Sequence, residues 1–210
     1  RDLAGASNAW AAAPSRSAIG GSLLAIAGIA QGLRKLPIER IPATGVLSAS
    51  FFVASLIHVP IGPTSVHLML NGLAGLILGW AAFPALFVGL LLQAVFFGFG
   101  GLTVLGINTL NIALPAVLAW LIFGRLIASG STIQGAIWAG IGGASAIAMT
   151  AVAVAFSLML SGEEFKAAAQ FALIAHIPII VIEGVLTGFA VYLVRKVKPD
   201  LFTSPNRIAS

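Results

Sequence analysis

Seven long apolar stretches run along this chain, separated by short polar or glycine-rich segments. A helix needs about 20 mostly apolar residues to cross the hydrocarbon core of a bilayer, and most of the stretches approach that length. The pattern therefore predicts an all-α integral membrane protein, a bundle of about seven transmembrane helices in one domain. The stretches cover residues 17–33, 42–59, 65–80, 82–98, 108–127, 134–160 and 168–194.

Composition supports the membrane assignment. Hydrophobic residues make up 59% of the 210 residues, charged residues make up 8%, and the mean hydropathy is +1.06. Water does not solvate such a chain as a soluble globule, and too few polar residues remain for a separate soluble domain. The chain has no cysteine, which excludes thiolate metal sites, disulfides and cysteine nucleophiles.

The basic residues predict how the chain is oriented in the membrane. With seven spans, eight of the eleven lysines and arginines fall on one side, and cytoplasmic segments carry the excess of such residues. We therefore expect the N-terminus outside and the C-terminus inside. The predicted divisions are an outer N-terminal segment at 1–16, a transmembrane domain at 17–198 and a cytoplasmic tail at 199–210. The eight residues are Arg34, Lys35, Arg40, Arg125, Arg195, Lys196, Lys198 and Arg207.

A glycine-rich stretch, "FFGFGGLTVLGINTLN" at residues 96–111, follows the fourth apolar stretch. It is not a nucleotide site, because the chain has no GxxxxGK[ST] motif and the third glycine of GxGxxG is missing. We therefore expect no ATP hydrolysis by this chain and no enzyme activity. Asn108 and Asn111 are three residues apart and share one helix face. Two roles are open for their amides: a place on a substrate path, or capping of the helix and closure of the loop.

Two of the three histidines lie in the segment "HVPIGPTSVHL", residues 58–68. The two prolines predict a turn on the outer side, with His58 ending one helix and His67 just inside the next. Neutral imidazole binds borderline metals such as Co, Ni, Cu and Zn. Asn71 lies four residues after His67, so on a helix its amide would orient the imidazole. The alternative is a histidine at a helix end that hydrogen-bonds a loop carbonyl.

The third histidine, His176, and the carboxyl of Glu183 both fall in the last apolar stretch. They are seven residues apart, nearly two turns, and so share one stripe of a helix. A carboxyl inside a span is costly unless it is paired or faces a polar cavity. Two interpretations stay open for Glu183, a hydrogen bond to a neighbouring helix and a place on a substrate or proton path with His176.

The segment "SVHLMLNGLAGLILGWAAFPALFVGLLLQAVFFGFGGLTVLGINTLNIALPAVLAW", residues 65–120, resembles the CbiM/NikM family. These are the substrate-capturing S components of energy-coupling-factor transporters for cobalt and nickel. The resemblance continues more weakly through "AHIPIIVIEGVLTG" at 175–188 and "FFVASLIHVPIGP" at 51–63. It covers roughly residues 45–195.

The resemblance implies a seven-helix, multi-pass protein of the bacterial cytoplasmic membrane that captures Co²⁺ or Ni²⁺ at its outer face. The metal is then the transported substrate, and no cofactor of the chain's own is expected. The implied partners are a transmembrane coupling subunit and a pair of cytoplasmic ATPase subunits, with a small accessory membrane subunit as a further candidate and no nucleic acid. The spans contain too few ionisable groups for a chain of metal sites across the membrane. We therefore expect the protein to capture the metal and then to move as a whole bundle.

The family also implies a set of nitrogen ligands, of which His67 matches the histidine of the third span. The remaining donors come from a family start of Met-His, whereas this chain begins Arg1-Asp2-Leu3. Three explanations are open: the native start differs from the present one, the amine of Arg1 or the carboxylate of Asp2 substitutes, or metal capture is lost. We favour the first, because residues 1–16 do not resemble the family. Ile112 also departs from the family's asparagine motif, which has a methionine there.

Two other classes of function remain. One is a structural or accessory membrane subunit without a metal site of its own, which the divergent start favours and the outer histidine disfavours. The other is a secondary transporter driven by His176 and Glu183, which predicts uptake without an ATPase. The nitrogen donors do not distinguish cobalt from nickel.

Overall fold

The protein is a bundle of helices with one small β-hairpin. A computed structural model describes residues 16–61, 64–98, 100–162 and 165–203. The hairpin consists of β1 (His58–Ile61) and β2 (Thr64–His67), with short 3-10 turns at Ile38–Arg40 and Gly79–Ala81. The helices are α1 (Arg16–Arg34), α2 (Ile41–Ala54), α3 (Asn71–Leu78), α4 (Ala82–Phe97), α5 (Leu105–Ser129), α6 (Thr132–Ser161), α7 (Lys166–Val197) and α8 (Asp200–Thr203).

The prediction of a helical membrane protein is confirmed, but the count of seven full-length spans is not supported. In the described residues four helical segments are long and apolar enough to cross a membrane. α1 is shorter in its apolar part, α2 has 14 residues and α3 has 8. Hydropathy alone predicted longer spans, because some apolar residues of the β-hairpin were assigned to the predicted helices 42–59 and 65–80. The four segments are Leu105–Ser129, Thr132–Ser161, Lys166–Val197 and Asn71–Phe97, of which the last reaches that length only when α3, the 3-10 turn and α4 are counted together.

The segment Asn71–Phe97 folds back on itself rather than running straight. α3 runs parallel to α5, and three neighbouring pairs share the same offset in sequence: Asn71 with Ile112, Gly75 with Ala116, and Gly79 with Trp120. A straight continuation would carry Phe97 roughly 50 Å from Leu105. The connection between these two residues reaches only about 28 Å. The chain therefore reverses at Gly79, whose φ of +59° is a conformation that glycine adopts without strain.

Small residues allow the helices to approach closely. A Cβ atom on Gly75 would collide with the carbonyl group of Ala116 in α5, and one on Gly72 would lie 2.7 Å from Cα of Gly143 in α6. In lipid, where apolar side chains gain little by leaving the solvent, such close backbone contact is a main source of helix association. α3 is consequently enclosed by its neighbours, and all eight of its residues are buried.

Arg195 joins two helix ends at the end of the bundle opposite the hairpin. Its guanidinium donates hydrogen bonds to the carbonyl oxygens of Ile127, Gly130 and Ser131, at 2.7, 2.8 and 3.0 Å. The Ile127 carbonyl lies in the last turn of α5, where the helix dipole favours a positive charge, and the Gly130 and Ser131 carbonyls belong to the turn that leads into α6. Ser131 and Gln134 form a capping box that begins α6.

The predicted tail at 199–210 begins as part of the folded bundle. Residues 200–203 form α8, and Phe202 is 3% exposed and belongs to the hydrophobic core. The predicted outer segment at 1–16 lies outside the described residues except for its last position. The orientation of the bundle relative to a membrane stays a prediction.

Candidate functional site

The β-hairpin, the glycine-rich connection and the start of α1 lie at the same end of the bundle. α1 begins beside α5, where Gly21 meets the side chain of Ile107. α2 ends beside α4, where the rings of Phe52 and Phe97 are stacked with centroids 5.7 Å apart. Three residues after α2 the chain enters the hairpin. This end of the bundle therefore gathers the segments in which the sequence places its candidate ligands.

The hairpin places two histidines opposite each other. β1 and β2 are antiparallel, and their register pairs His58 with His67 and Val59 with Val66. The sequence pattern predicted His58 at the end of one helix and His67 just inside the next, and it did not indicate this pairing. The signal was present, since Val59, Ile61 and Val66 favour strands and Pro60 cannot continue a helix.

His67 is the last residue of β2 and is half-buried. Its ring atom Nδ1 lies 3.1 Å from the carbonyl oxygen of Leu68. A carbonyl only accepts, so in the neutral ring Nδ1 carries the proton and the lone pair lies on Nε2. Hydrogen bonding of one ring nitrogen in this way fixes the tautomer in which the other binds a metal.

The backbone after His67 is bound by a carboxylate from α7. The Leu70 N–H donates to Oε1 and Oε2 of Glu183 at 2.9 and 3.0 Å, and the Met69 N–H donates to Oε1. Glu183 is 1% exposed. The structure shows hydrogen bonds to a neighbouring segment of the chain, the first of the two interpretations that the sequence left open, and a place on a substrate or proton path stays a prediction. The neighbour is the extended entrance to α3, which the sequence did not indicate.

This contact explains an unusual backbone conformation. Leu70 has φ +48° and ψ +19°, and it is the only non-glycine residue with positive φ in the described part of the chain. A left-handed conformation costs about 1–2 kcal/mol for such a residue. It aligns successive N–H groups so that they converge on one anion. Hydrogen bonds to a charged group contribute about 1.5–3 kcal/mol each, enough to offset this strain.

Asn71 joins three helices rather than orienting His67. Its Nδ2 atom donates to the carbonyl of Ile112 in α5 at 3.0 Å and to the hydroxyl of Thr150 in α6 at 2.9 Å. The prediction that His67 and Asn71 share a helix face is wrong, because His67 ends a strand and Asn71 begins α3. Asn71 is fully buried, and its Oδ1 has no hydrogen-bond partner among the described residues.

Asn108 and Asn111 lie in the first two turns of α5. Oδ1 of Asn111 accepts a hydrogen bond from the hydroxyl of Ser157 in α6 at 3.0 Å. Asn108 is half-buried beneath Gly100, where an added Cβ would lie 2.7 Å from its Nδ2. These contacts fit helix packing and loop closure, the simpler of the two predicted roles. A role for either residue on a substrate path stays a prediction.

His176 and Glu183 both lie on the buried face of α7, with 7% and 1% exposure. The predicted common stripe is therefore observed, but each side chain has its own backbone partner. Nδ1 of His176 lies 2.6 Å from the carbonyl of Ala172, so in the neutral ring it carries the proton. Its Nε2 has no hydrogen-bond partner among the described residues. No hydrogen bond between the two side chains is found there.

The remaining predicted ligands, Arg1 and Asp2, lie outside the described residues. Within the described ranges no group of three or more His, Cys, Asp or Glu side chains could hold a metal ion. His67 is therefore one ligand of a site whose other ligands have to come from elsewhere. The N-terminal segment leads into α1 at the same end of the bundle.

The fold and this end of the bundle define a polytopic helical membrane protein with a histidine-bearing hairpin. Residues 14–201 match the CbiM family, described as the cobalt uptake substrate-specific transmembrane region, and the chain belongs to that family. The resemblance drawn from the sequence is thereby confirmed.

Individual relatives agree with this assignment. A Haemophilus influenzae protein named "Putative metal transport protein" is 42% identical over 185 residues, 87% of this chain and 90% of its own length. The fused nickel transport protein NikMN of Rhodobacter capsulatus is 43% identical over 90 residues, 41% of this chain and 26% of that longer protein. The crystal structure of a transition metal transporter matches with a TM-score of 0.69 at 25% identity, covering 87% of this chain and 89% of the other.

Proposed function

We propose that this chain is the substrate-binding membrane subunit of an ATP-driven Co²⁺/Ni²⁺ uptake transporter. It captures the metal at the outer face of the bacterial cytoplasmic membrane and releases it inward through partner subunits. The observation that carries the proposal is His67, an imidazole at the end of the hairpin whose Nδ1 lies 3.1 Å from the carbonyl oxygen of Leu68. The membership of the chain in a cobalt uptake family supports it.

Nitrogen donors suit both Ni²⁺ and Co²⁺. In the proposed site His67 supplies one donor, and the segment that precedes α1 supplies the others, with Arg1 and Asp2 as the candidates that the sequence offers. His58 is a further candidate because its backbone lies opposite His67. This assignment of donors is supported by α1, whose first turns lie at the same end of the bundle as the hairpin.

Release of the metal requires movement of the protein. The apolar spans carry few ionisable side chains, and a divalent ion inside lipid needs ligands all along its path. A fixed channel is therefore unsuited, whereas movement of the helix bundle as a body transfers the bound ion. The energy for it comes from ATP hydrolysis on partner subunits, reached through a membrane coupling subunit. The NikMN relative, a fused protein of which the shared region is only 26%, supports association with further components.

Titration calorimetry of the purified full chain tests the proposal. We expect saturable binding of Ni²⁺ and Co²⁺, and loss of that binding in His67→Ala. A matched control is His176→Gln, which removes another imidazole, one whose Nδ1 is bonded within its own helix. The control is expected to bind both metals like the wild type.

The same titration and an uptake assay distinguish the proposal from the other two classes of function. A chain with an intact-mass-verified native start that binds neither metal is an accessory subunit, and the proposal is then wrong. Uptake into vesicles that lack any ATPase, abolished by His176→Gln, would instead indicate a secondary transporter.

A further inference from the structure

We propose that Glu183 is the residue that positions His67 for metal binding. Its carboxylate holds the backbone of residues 69 and 70, and this contact sets the location of the imidazole two residues earlier. The inference rests on the proposed function, because it takes His67 as a metal ligand. Glu183 itself is assigned no contact with the metal.

The inference is based on the hydrogen bonds of the short segment that connects β2 to α3. Three residues connect the two elements, and the N–H group of each donates to a partner outside α3. The Leu68 N–H donates to the carbonyl of Ile57 at 3.2 Å, on the β1 side of the hairpin. The Met69 and Leu70 N–H groups donate to Glu183. The backbone that follows His67 is thus bonded to the hairpin at residue 68 and to α7 at residues 69 and 70.

Both carboxylate oxygens of Glu183 act as acceptors for this backbone. With 1% exposure, the side chain has little access to solvent. A carboxylate so engaged is a positioning group rather than a ligand or a proton carrier. It also maintains the left-handed conformation of Leu70, which an isolated leucine avoids. Loss of the carboxylate would let residues 68–70 relax and would displace the imidazole.

The variant Glu183→Gln preserves the size of the side chain but replaces one acceptor oxygen with an NH₂ donor. The amide then faces a backbone N–H that it cannot bind. We expect the dissociation constant for Ni²⁺ to rise about 10- to 100-fold, the usual effect of removing a group that orients a ligand. The matched control is Thr187→Val, one turn further along α7, equally buried and nearly isosteric. Its affinity for Ni²⁺ is expected to equal that of the wild type.

Two further measurements distinguish positioning from general destabilisation. At saturating Ni²⁺, the d–d absorption bands of Glu183→Gln should differ from those of the wild type, because His67 is displaced from the metal. In addition, Leu70→Gly in the Glu183→Gln background should recover affinity about fivefold, since glycine adopts the left-handed conformation without strain. Wild-type bands in Glu183→Gln, or no recovery with glycine, would contradict the inference.

Failure of this inference differs from failure of the proposed function. If His67→Ala loses Ni²⁺ binding while Glu183→Gln binds like the wild type, only the role of Glu183 is wrong. If His67→Ala binds Ni²⁺ normally, the proposed function is wrong. If Glu183→Gln does not fold, hydrogen exchange of the metal-free wild type tests whether Glu183 holds the backbone of residues 69 and 70. Slow exchange of the Met69 and Leu70 amides is expected, and unprotected exchange there overturns the inference.

Discussion

The side chains of Asn71 and Thr150 are 79 positions apart in sequence, yet Nδ2 of the amide lies 2.9 Å from the hydroxyl oxygen. The same Nδ2 reaches the carbonyl of Ile112, so one buried amide connects α3, α5 and α6. This connection lies where α3 begins, immediately after the backbone held by Glu183. The short α3 is therefore held at its N-terminus by polar contacts and along its length by close packing.

Replacing Asn71 by alanine is expected to destabilise the protein by about 1–3 kcal/mol, because two buried hydrogen bonds are lost and Thr150 and Ile112 lose their amide partner. Thr150→Val should cost less, about 0.6 kcal/mol, the average found for a single hydrogen bond between membrane helices. Unfolding by denaturant in detergent micelles measures both. Effects that simply add in the double variant would contradict the direct bond.

A methyl group at Gly75 is expected to force α3 away from α5. Its Cβ would collide with the backbone of Ala116, which cannot move as a side chain does. We expect Gly75→Ala to destabilise the protein by about 1–3 kcal/mol. Gly45→Ala in α2 is the matched control, because nothing lies within 4 Å of a Cβ there. Alanine at that site should be neutral or stabilising by about 0.5–1 kcal/mol. Equal effects of the two substitutions on the melting temperature would contradict the packing described.

Substitution of Arg195 should loosen the turn between α5 and α6. Arg195→Ala removes three charge-assisted hydrogen bonds to carbonyl oxygens and exposes that turn to local opening. Hydrogen exchange of residues 127–134 should become at least about tenfold faster. Lys196→Ala is the control, since Lys196 lies over the ring of Tyr192 with its Nζ 4.6 Å from the centroid. Unchanged exchange in Arg195→Ala would show that these bonds do not hold the turn.

Metal binding should stabilise the wild type in proportion to its affinity. At a free Ni²⁺ concentration of 100 times the dissociation constant, the expected gain is about 2.7 kcal/mol in the free energy of unfolding. A thermal melt with and without Ni²⁺ measures this gain. His67→Ala should show none, because its site lacks the imidazole, whereas His176→Gln should keep it. A wild-type gain in His67→Ala would place the metal elsewhere.

The local pattern of apolar residues predicted α4 to α7 well. Stretches 82–98, 108–127, 134–160 and 168–194 differ from these helices by a few residues at their ends. Hydropathy is a property of consecutive residues, and a bilayer demands length and internal hydrogen bonding from any segment that crosses it. The sequence motif also led to the family, which the match over residues 14–201 confirms.

The candidate site was less predictable. The stretch 65–80 is apolar enough for a span, but His67 pairs with His58 across a hairpin and α3 begins only at Asn71. Strand pairing depends on a partner segment, and the hydropathy of one segment does not reveal it. The sequence likewise singled out Glu183 as a costly charge inside a span without identifying what it binds.

The sequence by itself determined that this chain is a helical membrane protein of the CbiM family and that His67 and Glu183 are its unusual polar residues. Only the tertiary structure decided that Glu183 holds the backbone next to His67 and that Asn71 turns away to bind α5 and α6. The physical reason is distance along the chain. Hydrophobic length and motif spacing act over tens of consecutive residues, whereas the Glu183 carboxylate and the Leu70 N–H meet across 113 positions.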